Sequence, residues 1–540
     1  MDFIFGTFAT DQLRLLHHQT MRQGLQHRHM LEPADPLPGE PVTLTVWVGI
    51  DTDISHLVAY YTTGAHDPAG GLGQSSDQVA HFHLDAHEWD ALAWGYYSVW
   101  KATLPAQPDG TIVRYRIGGW TDGGDELFAD YPLVTDTMEH AADAFFKGKE
   151  QTAYISHPGT GAVFTYRVDR QSSPAWVRDA VVYQVFVDRF YPGDGKSWTQ
   201  TDDVHRLMGG TLNGVRDKLG YLADLGITCI WLSPTWESGS YHGYDIMDYC
   251  RTADWLGGDD ALRRLVGAAH ARGIRVLLDL ACNHMSNESP VFKDAQSGSA
   301  SSHRDWFTFD DSPIGYKTFF NVRQMPQINL RNPRARDWML DIARYWIREF
   351  DVDGYRLDYA HGPGPDFWTY FNAACKEEKG DALTFGEIID SPEAQRAYIG
   401  RLDGCLDFFA NEAMRKTFGW RTQDRAGLDR RLARHRASFP PGFVMPAFLD
   451  NHDMNRFLHI AGGDKSALRE AFAYLMGLPN LPIVYYGTEA GLSHERSTRE
   501  GGLDVSRMAM PWGDAQDAVL RDDFAAMIAA RRGRLAEATR

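Results

Sequence analysis

The side chains with the most chemical capacity in this sequence are polar residues that close four apolar runs. Asp279, Asn283 and His284 end IRVLLDLACNH (274–284), and Arg356 and Asp358 end VDGYRLD (352–358). Glu387 stands in ALTFGEII (382–389), and Asp450, Asn451, His452 and Asp453 follow VMPAFL (444–449). Carboxylates brought together push one pKa upward, which lets a protonated acid and an ionised base coexist. Two chemistries use such a set. A metal centre takes Asp, Glu and His as ligands. Glycoside cleavage needs two carboxylates, one as nucleophile and one as acid/base, with further groups on the ring hydroxyls. Arg356, two residues before Asp358, favours the second. A cation there keeps the aspartate ionised and oriented as a nucleophile, and is a poor neighbour for a bound metal.

These residues need a scaffold that gathers strand ends. From about 179, strand-like runs alternate with amphipathic helical stretches. The runs are VVYQVFV (181–187), ITCIWLS (227–233), IRVLLDLA (274–281), VDGYRLDYA (352–360), ALTFGEII (382–389), CLDFFA (405–410), VMPAFLD (444–450) and LPIVYYG (481–487). The helical stretches include 213–225, 259–273, 332–350 and 517–537. The helix at 259 opens on an Asp and closes at Gly273, as capping expects. Eight nearly continuous apolar strands are covered on both faces, so the fold class is α/β, a closed (β/α)8 TIM barrel whose strand ends converge on one mouth. The polar stretch 285–331 is a small inserted excursion between strand 3 and helix 3, over that mouth.

Ahead of the barrel the texture is β. VTLTVWV (42–48), HLVAYYTT (56–63), YYSVWKATL (96–104) and TIVRYRIGGW (111–120) alternate by two between Gly, Asp and Pro turns, which reads as a β-sandwich. The division is 1–41, a helical segment (Asp11–Met30) with a Pro- and Gly-bearing linker; 42–172, the sandwich; and 173–540, the barrel. His17, His18, His27 and His29 fit no metal spacing and read as a solvated face, and Trp94, Trp100 and Trp120 read either as sandwich core or as stacking platforms for a ligand.

With 54 basic and 72 acidic residues the net charge is −18, which repels phosphate backbones and anionic lipid; nucleic acid and membrane are not expected as partners. Neither a signal-type start nor an 18-residue apolar run occurs, so a cytoplasmic enzyme is expected. Five cysteines without a CxxC pair suggest free thiols rather than disulfides or zinc.

LLDLACNH (277–284), DGYRLDYAH (353–361), TFGEII (384–389) and FLDNHD (448–453) resemble, in order, the four short signatures of the α-amylase family, glycoside hydrolase family 13. VVYQVFVDRF (181–190), YHGYDIMDY (241–249) and LPIVYYGTE (481–489) support the resemblance, which covers roughly 180–515. MPQIN (325–329) and the β-rich N-terminal module, which is carbohydrate-binding-module-like, resemble the neopullulanase, cyclomaltodextrinase and maltogenic amylase branch. The resemblance implies a retaining enzyme acting on α-1,4 or α-1,6 bonds of malto-oligosaccharides, cyclodextrins, pullulan or starch. A transglycosylase or isomerase on the same scaffold, and an inactive glucan-binding protein, are the alternatives.

Residue by residue, it implies Asp358 as nucleophile, Glu387 as acid/base and Asp453 as the third carboxylate. Arg356 matches the nucleophile's partner, His284 and His452 hydroxyl-binding histidines, and Tyr244 the platform under the same sugar, with Asp245 beside it. His361, where α-amylases carry a Lys-His pair, adds a candidate sugar contact on the acceptor side. No cofactor is required on this reading. A structural Ca2+ is expected to be weak or absent, because YPGDGKSW (191–198) keeps Asp194 but few other oxygen ligands. Asn283 matches a position where some relatives hold a different calcium. A homodimer is expected, and a C-terminal β-domain is expected to be absent.

Overall fold

A computed structural model describes residues 22–131, 161–201 and 203–538, with positions 15, 18, 19 and 156–158. The N-terminal part is two antiparallel sheets. One holds Leu25–Gln26, Leu31–Glu32, Val42–Val48, His83–Asp90 and Gly95–Leu104; the other holds His56–Thr62, Gln78–His81, Thr111–Trp120, Leu127–Ala129, Ser156–Pro158 and Phe164–Val168. The period-two pattern explains the packing. Val42, Leu44, Val46 and Val48 turn inward and meet Leu57, Ala59, Tyr115 and Ile117 of the second sheet.

The eight barrel strands are, in chain order, Val182–Val185, Cys229–Leu232, Arg275–Ala281, Gly354–Asp358, Leu383–Gly386, Gly404–Cys405, Ala447–Phe448 and Pro482–Tyr485. All neighbours are parallel, in the order six, five, four, three, two, one, eight, seven. Closure between the sixth and seventh rests on a parallel bridge from Gly404 to Val444. Only glycine permits that approach, since a Cβ at 404 would lie 1.8 Å from the Val444 carbonyl oxygen. Side chains alternate through the barrel wall. Val182, Cys229, Trp231, Leu277, Phe385, Phe448 and Ile483 fill the interior, while Leu278, Leu280, Tyr355 and Leu357 pack outward with the helices.

Several expectations change. Residues 25–26 and 31–32 are strands paired with Val42–Val48, so the helical reading of 1–41 fails there; most of residues 1–21, His17 included, lies outside the described residues. His27 and His29 are buried, not solvated. His29 Nε2 stands 2.9 Å from Asp366 Oδ2, in the first turn of the helix Pro365–Glu378 that packs on the fourth strand, and ties the sandwich to the barrel. The helix Gly258–His270 is capped by Gly257 rather than by an Asp, whereas Pro333–Phe350 is capped by Asn332, whose side chain accepts from the amides of Arg334 and Ala335. The excursion after the third strand contains the short helix Pro290–Gln296 and returns through the bridge His284–Gln327. Among the described residues, no helix is long and apolar enough to cross a membrane.

Candidate active site

Strand register sets the site. Asp279 pairs with Arg356 across the third and fourth strands, and Leu357 pairs with Gly386 across the fourth and fifth. Asp358 and Glu387 therefore follow as direct neighbours on adjacent strands, which lie about 4.8 Å apart. Both point into the mouth, because Tyr355 and Leu357 take the outward positions.

One buried guanidinium organises three carboxylates. Arg356 Nη1 donates to Asp279 Oδ1 and to Asp358 Oδ1, each at 2.8 Å, and its Nη2 lies 2.7 Å from Glu387 Oε2. The amide of Tyr359 also donates to Glu387 Oε2, at 3.2 Å. Asp279 is held from the far side by Trp231 Nε1 and Tyr244 Oη, both at 2.9 Å. Asp453 stands apart from Arg356's pairs: Arg507 Nη2 donates to its Oδ1 at 2.8 Å, and His452 Nε2 is 3.0 Å from its Oδ2.

These partners divide the carboxyls electrically. Burial pushes Asp358 well up from the usual carboxylate range, against the pull of Arg356 and with repulsion from Glu387, Asp279 and Asp453 adding to it. Burial raises Glu387 as well, again against Arg356, with Asp453 adding to the rise. Asp453 is held low despite burial, by His452, Arg507 and Arg356. Arg356 thus orients Asp358 as expected but does not by itself outweigh burial. One cation between three carboxylates leaves Asp358 and Glu387 as a pair that retains a proton.

The residues above line or back a cavity of about 410 Å³. Asp358, Glu387, Asp453, Tyr244, His284 and His361 form its walls. Arg356 and His452 sit one layer behind: Arg356 is fully buried, and His452 stacks on Tyr244 with ring planes 7° apart. Burial lowers His452 to about 3, so it is neutral. With the Gln184 amide nitrogen donating to its Nδ1 at 2.7 Å, its proton sits on Nε2, facing Asp453 and Tyr244. Asp245 falls outside the cavity lining; its carboxylate accepts from Ser240 Oγ and holds that residue at the wall.

Two wall histidines each carry an unpartnered ring nitrogen. Burial lowers His284 to about 3 and lowers His361 too, so both are neutral. Nε2 of each is buried without a hydrogen-bond partner. Buried polar atoms are normally satisfied, so two such nitrogens on one cavity mark where ligand hydroxyls fit.

Asn283, the position expected from the resemblance for a calcium, is engaged by its neighbours. Its Oδ1 accepts from Gln327 Nε2 at 3.2 Å, its Nδ2 faces His284 Nδ1 at 3.3 Å, and among the described residues no three His, Cys, Asp or Glu side chains converge as metal ligands.

The sequence reading did not name Arg507, Tyr241, Asp504, Phe319, Met325 or Ile389, which also line the cavity. Arg507, Tyr241 and Asp504 make one end polar: Arg507 Nη1 donates to Tyr241 Oη at 3.2 Å, and that hydroxyl donates to Asp504. Phe319, Met325 and Ile389 are apolar parts of the lining, Phe319 stacking on His284 at 4.6 Å and lying 5.0 Å from the Tyr359 ring. Arg507 lies in the loop after the eighth strand, off any strand end, and only the step from Glu387 to Ile389 carried a signal in the sequence.

Residues 184–525 match the family model for the α-amylase catalytic domain. The chain is 37% identical over 372 residues to α-amylase 2 of Dictyoglomus thermophilum, covering 68% of this chain and 65% of that protein. It is 35% identical over 498 residues to a cyclomaltodextrinase of Geobacillus thermopakistaniensis, covering 85% and 80%. Among solved structures, the cyclic α-maltosyl-(1→6)-maltose hydrolase of Arthrobacter globiformis superposes with a TM-score of 0.62 at 30% identity, covering 67% of this chain and 86% of that one. The match thus spans about two thirds of the length of the Dictyoglomus relative. Motif order, barrel and family model agree: the chain belongs to the α-amylase family.

Proposed function

We propose that this protein is a retaining α-glucan hydrolase. Its substrates are malto-oligosaccharides, cyclodextrins, pullulan or starch, and it cleaves their α-1,4 bonds, with α-1,6 bonds as the alternative. The observation that carries the proposal is the placement of Asp358 and Glu387 on adjacent strands, bridged by Arg356. Retaining glycosidases hold their two carboxyls about 5–5.5 Å apart, a separation within reach of inward side chains on strands about 4.8 Å apart.

In this reading Asp358 attacks the anomeric carbon while Glu387 gives its proton to the departing glycosidic oxygen. The raised pKa of Glu387 keeps that proton available. As positive charge develops on the ring, Asp453 accepts hydrogen bonds from ring hydroxyls, and the unpartnered Nε2 atoms of His284 and His361 meet further hydroxyls. Glu387, now ionised, takes a proton from water, whose oxygen displaces Asp358 and leaves the α-anomer. Asp279 stays behind Arg356 and fixes the guanidinium between the two carboxylates.

The apolar part of the lining favours a second outcome at the same ester. Phe319, Met325, Tyr359 and Ile389 exclude water where a sugar face would pack, so a sugar acceptor competes with hydrolysis. Relatives support the substrate class, among them the neopullulanase 2 of Thermoactinomyces vulgaris, 31% identical over 415 residues, and the intracellular maltogenic amylase of Bacillus subtilis, 34% over 400. The proposal extends to a cytoplasmic homodimer that needs no metal. Light scattering returning a monomer mass, or activity lost to EDTA and restored by calcium, would refute those parts.

Product chromatography on maltotriose, a cyclodextrin, pullulan and soluble starch tests the main reading, with Asp358→Asn beside it. Shorter sugars from the parent alone are expected, with longer ones where transfer competes. No product from any substrate would sink the proposal.

A further inference from the structure

The ladder between the fourth and fifth barrel strands runs in regular register and then slips. The Asp353 carbonyl accepts from the Leu383 amide at 2.9 Å, and four residues on the Leu357 carbonyl accepts from the Glu387 amide at 2.9 Å. Leu357 pairs with Gly386, so Glu387 stands opposite Asp358, and a regular parallel ladder has it bond both flanking residues, Leu357 and Tyr359. The Glu387 carbonyl accepts instead from Ala360, at 3.0 Å. One extra residue on one strand is a β-bulge, a device that re-aims groups beside active sites. The extra residue is Tyr359, at φ 40°, on the left-handed side that residues with side chains seldom take.

The slip releases one amide from the ladder, and that amide goes to the side chain of Glu387. Tyr359 N donates to Glu387 Oε2 at 3.2 Å, and Arg356 Nη2 lies 2.7 Å from the same oxygen. Amide and guanidinium both donate, so Oε2 is the accepting oxygen and a proton on this carboxyl belongs to Oε1. Glu387 lines the cleft, which leaves Oε1 as the oxygen presented to a ligand. Glycine would occupy the bulge with less strain. The tyrosine brings a ring, and that ring is buried against Phe319 at 5.0 Å and Phe320 at 5.4 Å, both from the excursion after the third strand. The excursion therefore pins the bulge, and the bulge aims the amide.

We propose that Tyr359 is a positioning residue: its bulged amide, pinned through its ring by Phe319 and Phe320, fixes which oxygen of Glu387 carries the transferable proton. It rests on the reading of Glu387 as the acid/base. As the glycosidic C–O bond breaks and Asp358 bonds to the anomeric carbon, the Oε1 proton passes to the departing oxygen. The electron pair of that O–H bond stays on Glu387, and the resulting carboxylate keeps the Tyr359 amide on Oε2. A hydrogen bond that strengthens as charge appears favours proton release. Glu387 also faces Arg356 and Asp358 on the fourth strand, Asp279 on the third and Asp453 after the seventh. A change at Tyr359 leaves all four in place.

The test compares the parent with Tyr359→Gly, which keeps the backbone freedom and removes the anchor, and with Phe320→Ala, which loosens the anchor and keeps the tyrosine. In both, kcat/KM for maltotriose should fall, by about tenfold in Tyr359→Gly, a part of what general acid catalysis supplies. The loss on α-maltosyl fluoride, whose leaving group needs no proton, should be at most about twofold. The alkaline limb of kcat/KM should move up by about 0.5–1 pH unit, since a hydrogen bond to the ionised form is lost. Tyr359→Phe, which keeps ring and bulge, should match the parent. An alkaline limb that stays in place in both loosened variants would overturn the proposal, because a lost sugar contact lowers turnover without moving it. Equal losses on maltotriose and the fluoride would also overturn it, as a general structural effect. Failure of the acid/base reading shows separately, as no turnover of maltotriose by the parent or an alkaline limb that persists in Glu387→Gln.

Discussion

The fourth barrel strand carries a buried aspartate just before its start and another at its end, and the two live in opposite electrical surroundings. Asp353 precedes Gly354 at the closed bottom. It is met by His270 Nε2 and Arg275 Nη1 at 2.7 Å, Lys379 Nζ at 2.9 Å and the Val276 amide at 2.8 Å. Its carboxyl is held well below the usual range, because those partners together outweigh burial. Asp358, at the open mouth, shares the single Arg356 with Asp279 and Glu387 and is pushed up. The bottom is over-supplied with cations and holds the barrel together. The mouth is under-supplied, so a proton stays mobile within the pair. A pKa lowered by matched partners reports stability, and one raised by burial with crowded like charges beside it reports chemistry.

That contrast is broken or sharpened by substitution. Asp358→Asn should lower kcat by about 10⁴-fold or more while the melting temperature holds or rises, since a crowded charge is removed. Substantial activity in that variant would end the nucleophile assignment. At the other end of the strand, Asp353→Asn should cost about 1–3 kcal/mol in denaturant unfolding, because the buried carboxylate holds His270, Arg275, Lys379 and the Val276 amide together, yet leave kcat of the folded enzyme nearly unchanged. Equal effects of the two substitutions on stability would erase the contrast.

A third region gives a milder effect, with its sign set by a lowered histidine. His27 lies between the Thr45 carbonyl and Tyr115 Oη, and burial lowers it to about 3. The fold holds the neutral ring, so its contribution is complete above the unfolded value near 6.5 and shrinks as pH falls below that, by ~1.4 kcal/mol per pH unit. Melting temperature followed from pH 7.5 to 5 should decline, and His27→Gln should flatten the decline. Asp353 contributes nothing to that slope. Its depressed carboxyl adds stability above the unfolded value near 3.9, lost only as pH falls below it. The smallest effect lies in the rate profile. The alkaline limb of kcat/KM should sit above the ordinary glutamate range and disappear in the residual activity of Glu387→Gln.

The barrel was legible because strand runs and helical stretches alternate with a clear change of period, and the strand ends alone placed Asp279, Arg356, Asp358 and Glu387 in one mouth. Less was legible where neighbours outside the local sequence decide. The run CLDFFA forms only the two-residue strand Gly404–Cys405, since Asp407 turns to cap the helix Phe408–Met414. Residues 25–26 and 31–32 carry no strand pattern of their own and become strands because Val42–Val48 offers an edge. Arg507 reaches Asp453 from a loop fifty-four residues later in the chain, a pairing no spacing rule announces. Trp94, Trp100 and Trp120 look alike in sequence, yet one is exposed at a turn, one packs on the sandwich core, and one stacks on His56 at 5.2 Å.

The central claim is that Asp358, paired with Glu387 on the next strand, forms a covalent ester with the sugar. The most direct test is ¹H NMR of the product in the first moments of maltotriose or cyclodextrin cleavage, before mutarotation. The account predicts the α-anomer first, by double displacement. A β-anomer appearing first would mean that water attacks directly, and the nucleophile assignment would be wrong.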